Sequence, residues 1–244
     1  MIKRGRVHIG TSGWNYPHWR GFFYPEKMPQ KKWLEFYLEH FTTVEINNTF
    51  YQLPAEKTFM NWHDSVPDDF VFAVKASRFI THMKKLKDPQ ESLSKFIARS
   101  KLLKGKLGVI LYQLPPRWRY NGERLSQFLK ALPKNIRAAF EFRDRSWWND
   151  DVYDMLKKHD AAFCIFELDK AQSPEMVTAS FVYLRMHGPE GAYEGSYSDK
   201  ELKNWGKKIG QWSRDSLDVY CYFDNDQAAF AAHNARTLKR ILKL

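Results

Sequence analysis

Short apolar runs alternate with longer amphipathic stretches along this chain. Each run has the length of a strand, is rich in β-branched or aromatic residues, and ends in polar or charged residues. There are eight such runs, at Val7–Gly10, Thr43–Ile46, Phe70–Lys75, Leu107–Gln113, Ala138–Phe142, Ala162–Phe166, Phe181–Met186 and Asp218–Phe223. Eight strands that each precede a helix predict an α/β fold, a (β/α)8 or TIM barrel.

The stretches between the runs repeat apolar residues with helical spacing. Such stripes cover residues 34–41, 93–103, 125–132, 152–159 and 228–242. Ser198 and Glu201 form a capping-box pattern, which predicts the start of a further helix. The sixth unit differs, because its segment Ala171-Gln172-Ser173-Pro174-Glu175 leaves little room for a helix. A loop or a single turn is predicted there, so the sixth βα unit is expected to be irregular.

The composition favours one folded domain over residues 1–244. Hydrophobic residues make up 43% of the chain, enough for a barrel interior and for the layer between strands and helices. The two cysteines, Cys164 and Cys221, lie in apolar runs without CxxC spacing and are expected to be buried and reduced, which favours the cytoplasm. The basic first six residues lead directly into a strand, so neither a signal peptide nor a membrane span is expected.

Polar side chains gather where the predicted strands end. In TIM barrels the active site lies at the carboxyl ends of the strands, because the interior is packed while the βα loops vary. The polar residues at these positions are Glu45, Asn47, Lys75, Gln113, Glu141, Arg143, Arg185 and His187. A site for chemistry is therefore expected at this end of the barrel.

Two of the clusters lie at the ends of the first two strands. In Gly10-Thr11-Ser12-Gly13-Trp14, glycines and hydroxyls could cradle an anion on backbone N–H groups, or simply make a turn. Strand alternation places Glu45 and Asn47 on one face of the second strand. Glu45 is then either a buried partner of a cation such as Lys75 or Arg143, or a general acid or base.

Two further clusters follow the fifth and seventh strands. Arg143 shares a face with Glu141 and has the planar fork that suits phosphate or carboxylate. The pair Trp147-Trp148 could wall a pocket or pack against the next helix. His187, on the same face as Arg185, is either a general acid or base or a hydrogen-bonded core residue.

The chain resembles the YecE-like family, a family without an established activity. The motifs that carry the resemblance run in order along the chain and include Gly10-Thr11-Ser12-Gly13-Trp14, Val44-Glu45-Ile46-Asn47-Asn48-Thr49-Phe50-Tyr51, Gln113-Leu114-Pro115-Pro116, Glu141-Phe142-Arg143, Tyr183-Leu184-Arg185-Met186-His187-Gly188 and Tyr222-Phe223-Asp224-Asn225-Asp226. The resemblance implies a TIM barrel whose motifs lie at the barrel mouth. It implies no particular reaction.

The formal net charge of +11 makes an anionic partner plausible. Many cations lie at helix carboxyl ends, where the helix dipole stabilises them, but His82, Lys84, Lys85 and Lys87 directly follow the third strand. With nearby aromatic residues they would form a basic rim suited to a small anion or to single-stranded nucleic acid, and no membrane partner is expected. A solvated basic face remains the structural alternative.

Two functions are consistent with these patterns. The first is an enzyme that acts at the barrel mouth on a phosphate-containing anion, at its most specific by hydrolysing phosphate esters or phosphodiesters. The second is a nucleic-acid-binding protein without catalysis. The predicted catalytic residues are Glu45, Lys75, Glu141 and His187, and the predicted substrate-binding residues are Ser12, Trp14, Asn47, Tyr51, His82, Gln113, Arg143, Trp147, Arg185 and Asn225. No cofactor is indicated, and a divalent metal stays open although HxH and HExxH spacings are absent.

Overall fold

The computed structural model describes residues 4–168 and 171–244. All eight predicted strands are present, each within two residues of its predicted limits. A short additional strand follows the sixth, so the strands are β1 (Val7–Thr11), β2 (Thr43–Ile46), β3 (Val71–Lys75), β4 (Leu107–Leu114), β5 (Arg137–Phe142), β6 (Ala162–Leu168), β7 (Ala171–Gln172), β8 (Phe181–Met186) and β9 (Asp218–Phe223).

Helices follow most of these strands. The helices are α1 (Trp33–Leu38), α2 (Asn48–Tyr51), α3 (Glu56–Asp64), α4 (Pro89–Ser100), α5 (Gly122–Ala131), α6 (Asp150–Lys158), α7 (Asp199–Arg214) and α8 (Phe230–Leu242). The predicted capping box at the start of α7 is confirmed, with both reciprocal hydrogen bonds between Ser198 and Glu201 present. α2 and α3 lie outside the set predicted from helical spacing. A π-helical turn, Phe79–Met83, follows β3.

The backbone divides into two compact units. The first unit comprises the described parts of 1–45, 165–173 and 181–244. In this unit β9 lies between β1 and β8, and all three are parallel. Thr11 and Met186 both pair with Phe223, so the carboxyl ends of these three strands are level. A single parallel bridge between Ser12 and Glu45 adds the end of β2.

The second unit comprises 46–164 and 174–180. Here β4 lies between β3 and β5, again with all strands parallel, and the first residues of β6 pair with β5. Gln113 pairs with Glu141 and Lys75 pairs with Leu111. This register brings polar residues of three neighbouring strands to one edge, which is the arrangement that the sequence predicts.

The sixth βα unit is irregular, as predicted. Residues 173–180 contain no helix, and β7 turns back antiparallel to β6. Side chains replace the missing element: the Thr178 hydroxyl accepts from the Phe163 amide at 2.8 Å and donates to the Ala161 carbonyl at 2.7 Å. Two backbone groups at the start of β6 thus find partners without a helix.

Both units have densely packed aromatic cores. Cys164 and Cys221 are buried free cysteines. None of the helices in the described ranges is long and apolar enough to cross a membrane. The prediction of a single domain over the whole chain stays a prediction.

Candidate functional site

In the first unit, Arg185 lies at the centre of a buried polar cluster. Its Nη2 donates to Glu45 Oε1 at 2.7 Å, to Asp224 Oδ2 at 2.8 Å and to Ser12 Oγ at 3.0 Å. Its Nε lies 3.1 Å from both Glu45 oxygens. The Arg185 and Glu45 side chains have no exposed surface, so this is a fully buried, multiply bonded ion pair.

Tyr183 and His187 complete this Arg185 cluster, which we define as Ser12, Glu45, Tyr183, Arg185, His187 and Asp224. The Tyr183 hydroxyl donates to Glu45 Oε2 at 2.6 Å, and burial, followed by the Glu45 charge, raises the pKa of Tyr183 well above its usual value. Arg185 Nη1 lies 3.2 Å from His187 Nε2, and His187 Nδ1 lies 3.0 Å from Asp224 Oδ2.

These contacts determine the tautomer of His187. A guanidinium can only donate, so His187 Nε2 accepts from Arg185, and the ring proton is on Nδ1, which lies 3.0 Å from Asp224 Oδ2. The lone pair that a base would need therefore faces Arg185. His187, predicted as a catalytic base, is placed as a fully buried, hydrogen-bonded core residue.

The same cluster determines the role of Glu45. The cation that pairs with Glu45 is Arg185, whereas Arg143 pairs with Glu141. Glu45 also accepts a short hydrogen bond from the Ser12 hydroxyl. The hydroxyl, carboxylate and guanidinium of Ser12, Glu45 and Arg185 thus bind one another.

The loop after β1 makes a tight turn, one of the two alternatives that its sequence left open. Three backbone N–H groups here have acceptors: Thr11 N donates to the Tyr37 hydroxyl at 3.0 Å, Ser12 N to the Phe223 carbonyl at 2.8 Å and Gly13 N to the Glu45 carbonyl at 2.8 Å. Gly13 has a φ of +89°, which favours glycine at this tight turn. The loop therefore holds β1 and its neighbours together, with Trp14 half-buried beside it.

Asn225 is also a structural residue in this arrangement. It is fully buried, and its Nδ2 donates to the Gly195 carbonyl at 2.8 Å and to Asn234 Oδ1 at 2.9 Å. The Asn234 side chain in turn accepts from the Tyr197 amide at 3.2 Å. The Nδ2 of Asn225 thus connects the loop after β8 to α8, and the prediction that Asn225 binds substrate stays a prediction.

In the second unit, a different set of polar groups meets at the carboxyl ends of the strands. We define the strand-end site as Lys75 of β3, His82 of the π-helical turn, Gln113 of β4, Glu141 of β5 and Arg143 just after β5. Arg143 Nε makes a short hydrogen bond to Glu141, whose other oxygen lies 4.0 Å from the Cys164 thiol. Lys75, His82 and Arg143 are half-buried, so the site is only partly enclosed.

Phe50 connects Lys75 to His82. Lys75 Nζ lies 4.5 Å from the centre of the Phe50 ring, a cation–π contact, and the His82 ring meets the same ring edge-on at 5.0 Å. Burial and then the charges of Lys75, Arg78 and Arg143 lower the pKa of His82 to about 4, against a smaller opposing effect of Glu141. Protonation is disfavoured because three cations surround the ring and only one carboxylate opposes them.

The aromatic residues predicted for ligand stacking fall into two groups. Tyr51 is 73% exposed and meets Phe50 edge-on. Trp147 is fully buried, stacks on Phe142 and donates its indole N–H to the Trp118 carbonyl at 2.6 Å. Trp147 therefore packs in the core, the structural alternative that the sequence left open. Asn47 is half-buried just before α2.

Among the residues that the structure describes, no group of three or more His, Cys, Asp or Glu side chains is arranged to hold a metal ion.

Comparison with known proteins now identifies the family. A family model described as "Protein of unknown function DUF72" matches residues 8–244. The chain belongs to the DUF72 family. This DUF72 chain is 25% identical to UPF0759 protein YunF of Bacillus subtilis over 98% of its own length and 95% of that protein. It is 30% identical to UPF0759 protein YecE of Escherichia coli over 56% of its length and 48% of that protein. The resemblance to the YecE-like family is thereby confirmed.

A solved structure confirms the fold class. A DUF72 family protein from Thermotoga maritima matches this DUF72 chain with a TM-score of 0.89 and 30% identity, covering 98% of this chain and all of the other. The fold is the predicted α/β barrel. None of these relatives carries a named activity in its description.

Two members of the Arg185 cluster, Tyr183 and Asp224, were not among the predicted site residues. Tyr183 lies two residues before Arg185 and so shares its face of the strand, and Asp224 directly follows β9. Both signals are present in the sequence. These signals predict where on a strand each side chain lies but not which residue it contacts, because the partner of Asp224 is Arg185, 39 positions away.

Proposed function

We propose that this DUF72 protein is an enzyme that acts on a phosphate-containing anion at the strand-end site. The observation that supports this is the excess of positive charge just at and after the ends of the parallel strands β3 and β5: Lys75, Arg78 and Arg143 all act on one histidine, with a single opposing carboxylate. Of these, Lys75 and Arg143 are half-buried, and such cations stabilise the negative charge of a phosphoryl group more strongly than exposed ones, because less water screens them.

The most specific form of this proposal is hydrolysis of phosphate monoesters or phosphodiesters. Lys75 supplies an ammonium group for a non-bridging oxygen, and Arg143 supplies guanidinium N–H donors. Gln113 adds an amide on the strand between them. Electrostatic stabilisation and positioning are the main contributions a protein makes to phosphoryl transfer, so these residue types suit the reaction.

Hydrolysis of p-nitrophenyl phosphate and of bis-p-nitrophenyl phosphate tests this function. Lys75→Met is expected to lower kcat/KM about 100-fold, the typical effect of removing one preorganised charge-stabilising group. Lys130→Met, which removes an exposed lysine of α5, is the matched control and is expected to keep the wild-type rate. Assays with Mg²⁺, with Mn²⁺ and with a chelator test the open question of a divalent metal. No turnover of either ester in any of these buffers contradicts the proposal.

A second function is favoured by one separate observation. Tyr51, Phe79 and Met83 are 73%, 47% and 65% exposed, and Lys84 Nζ lies 5.8 Å from the Phe79 ring centre. Exposed aromatic rings beside lysines are typical of proteins that bind single-stranded nucleic acid by stacking and charge. In this function the protein binds nucleic acid without catalysis.

A further inference from the structure

The three acids and bases expected from the sequence are not open to a substrate. Glu45 and His187 lie within the Arg185 cluster with no exposed surface. Glu141 is buried as well and is bonded to Arg143. A hydrolase at the strand-end site needs a proton acceptor that a substrate can reach, and His82 is the half-buried titratable residue beside Lys75.

Hydrogen bonds around His82 determine which ring nitrogen carries the proton. The Thr81 hydroxyl donates to the Ser77 carbonyl at 3.3 Å, which uses its only proton. His82 Nδ1 lies 2.9 Å from the same hydroxyl oxygen. With the hydroxyl proton directed to Ser77, that oxygen accepts from Nδ1, which then carries the ring proton and leaves the lone pair on Nε2.

From this geometry we propose that His82 is the general base of the strand-end site, acting through Nε2, with Thr81 as the positioning residue that fixes the tautomer. The inference rests on the proposed function. In the reaction, Nε2 takes a proton from a water molecule while the water oxygen forms the new bond to phosphorus. The bond to the leaving oxygen breaks and its electron pair stays on that oxygen, on the opposite side of phosphorus. His82 then releases its proton to solvent, and the leaving oxygen takes up a proton from solvent.

The surrounding charges suit this role when substrate is bound. The groups that face His82 are Phe50 of α2, Lys75 of β3, Arg78, and Glu141 and Arg143 at the end of β5. In the free protein burial, and after it the three cations, keep the imidazole neutral, with a pKa of about 4. A bound phosphate brings negative charge among them, which favours the imidazolium and raises the pKa of His82 toward the range where a base is effective.

The local backbone supports a specialised role for this residue. His82 lies in the π-helical turn Phe79–Met83, in which the Lys84 amide donates to the Phe79 carbonyl at 2.9 Å. Single π-helical turns are uncommon and occur frequently at functional sites. Here the turn comes soon after β3 and brings the ring to Phe50, beside Lys75.

Nitrogen NMR of the histidine rings tests the inference without relying on activity. In the wild-type protein the His82 signals are expected to show an Nδ1–H tautomer with a pKa well below the usual 6.5. Inorganic phosphate is expected to raise that pKa. An Nε2–H tautomer would overturn the role of His82 while leaving phosphate binding intact. A His82 pKa unaffected by saturating phosphate would overturn the role too, and failure of phosphate to bind would instead contradict the proposed function.

Kinetics of bis-p-nitrophenyl phosphate hydrolysis provide the second test. His82→Gln is expected to lower kcat about 100-fold or more, the usual contribution of a general base. Thr81→Val is expected to lower it up to about tenfold, the equivalent of one hydrogen bond, and Thr81→Ser to restore it. His233→Gln, at an exposed position of α8, is the control.

The pH dependence of hydrolysis distinguishes a general base at His82 from a residue that is needed only for the structure. The low-pH limb of kcat/KM reports the free protein and is expected near pH 4, whereas the limb of kcat reports the complex and is expected at higher pH. Both limbs should disappear in His82→Gln. An active His82→Gln variant with an unchanged profile would overturn the assignment while leaving the hydrolase in place.

Discussion

At the scale of single residues, hydrogen-bond donors decide which side chains are available for chemistry. Arg185 directs its N–H donors to Glu45, Asp224, Ser12 and His187, all of them buried. A guanidinium has no acceptor, so every partner must turn a lone pair toward it. The carboxylates and the imidazole of this cluster are thereby committed to one another. His82 differs because Thr81 binds its Nδ1 and leaves Nε2 as the acceptor.

The first prediction concerns the Arg185 cluster. Arg185→Met is expected to lower the free energy of unfolding by about 3–5 kcal/mol, because it leaves the buried Glu45 and Asp224 carboxylates without their cation. Urea denaturation measures the change. Arg240→Met, at an exposed position of α8, should change stability by no more than about 0.5 kcal/mol. An Arg185→Met protein with wild-type stability would show that the cluster is not structural.

At the scale of elements, the chain shows how a βα unit can do without its helix. After β6 the segment 173–180 contains no helix, yet the Phe163 and Phe166 amides find acceptors in the Thr178 and Ser173 hydroxyls, at 2.8 and 2.9 Å. Buried amides without partners are costly, so these hydroxyls replace contacts that the missing element does not supply.

The second prediction follows from this replacement. Thr178→Val keeps the shape of the side chain but leaves the Phe163 amide and the Ala161 carbonyl without their partner. We expect a loss of about 1–3 kcal/mol in the free energy of unfolding, measured by urea denaturation. Thr178→Ser keeps the hydroxyl and should lose clearly less. Equal losses in the two variants would indicate that packing of the methyl group, and not hydrogen bonding, is responsible.

At the scale of the whole molecule, the net charge of +11 overstates the cations available to a ligand. Lys106 is buried and donates to the His63 and Val66 carbonyls at 2.8 and 2.7 Å. Lys239 donates to the His40 carbonyl at 2.6 Å. Such lysines satisfy backbone acceptors at the ends of elements. Charge alone therefore does not indicate a nucleic-acid-binding protein, and the position of each cation has to be considered.

The third prediction separates the two proposed functions. If the exposed rings and lysines after β2 and β3 bind nucleic acid, a short fluorescent single strand should bind with an affinity that falls steeply as salt rises. Tyr51→Ala with Phe79→Ala should weaken binding, by about 1–3 kcal/mol for each base that loses its stacking partner. Fluorescence anisotropy measures both effects, with Lys200→Ala on α7 as the control. Absence of binding at moderate salt would exclude this function and leave the phosphate-ester site standing.

The sequence by itself determined the strands, most of the helices and the ends of the strands at which polar groups collect. These features follow from local patterns: alternation in strands, helical spacing in helices and hydroxyls at caps all act over a few residues. Lys75 and Glu141 were therefore placed at strand ends correctly. Even the irregular sixth unit was predicted, because Pro174 and its polar neighbours disfavour a helix.

Only the tertiary structure decided which of these groups face one another. Glu45 pairs with Arg185, 140 residues away, and not with the lysine or arginine that the pattern suggested. Alternation predicts on which face of a strand a side chain lies, but not which residue of another strand it contacts. That partner depends on strand order and register. Tertiary packing likewise places Trp147 in the core. It also gives His82 the surroundings of the proposed general base: the contact with Thr81 is local, but Lys75, Arg143 and Phe50 come from three other segments.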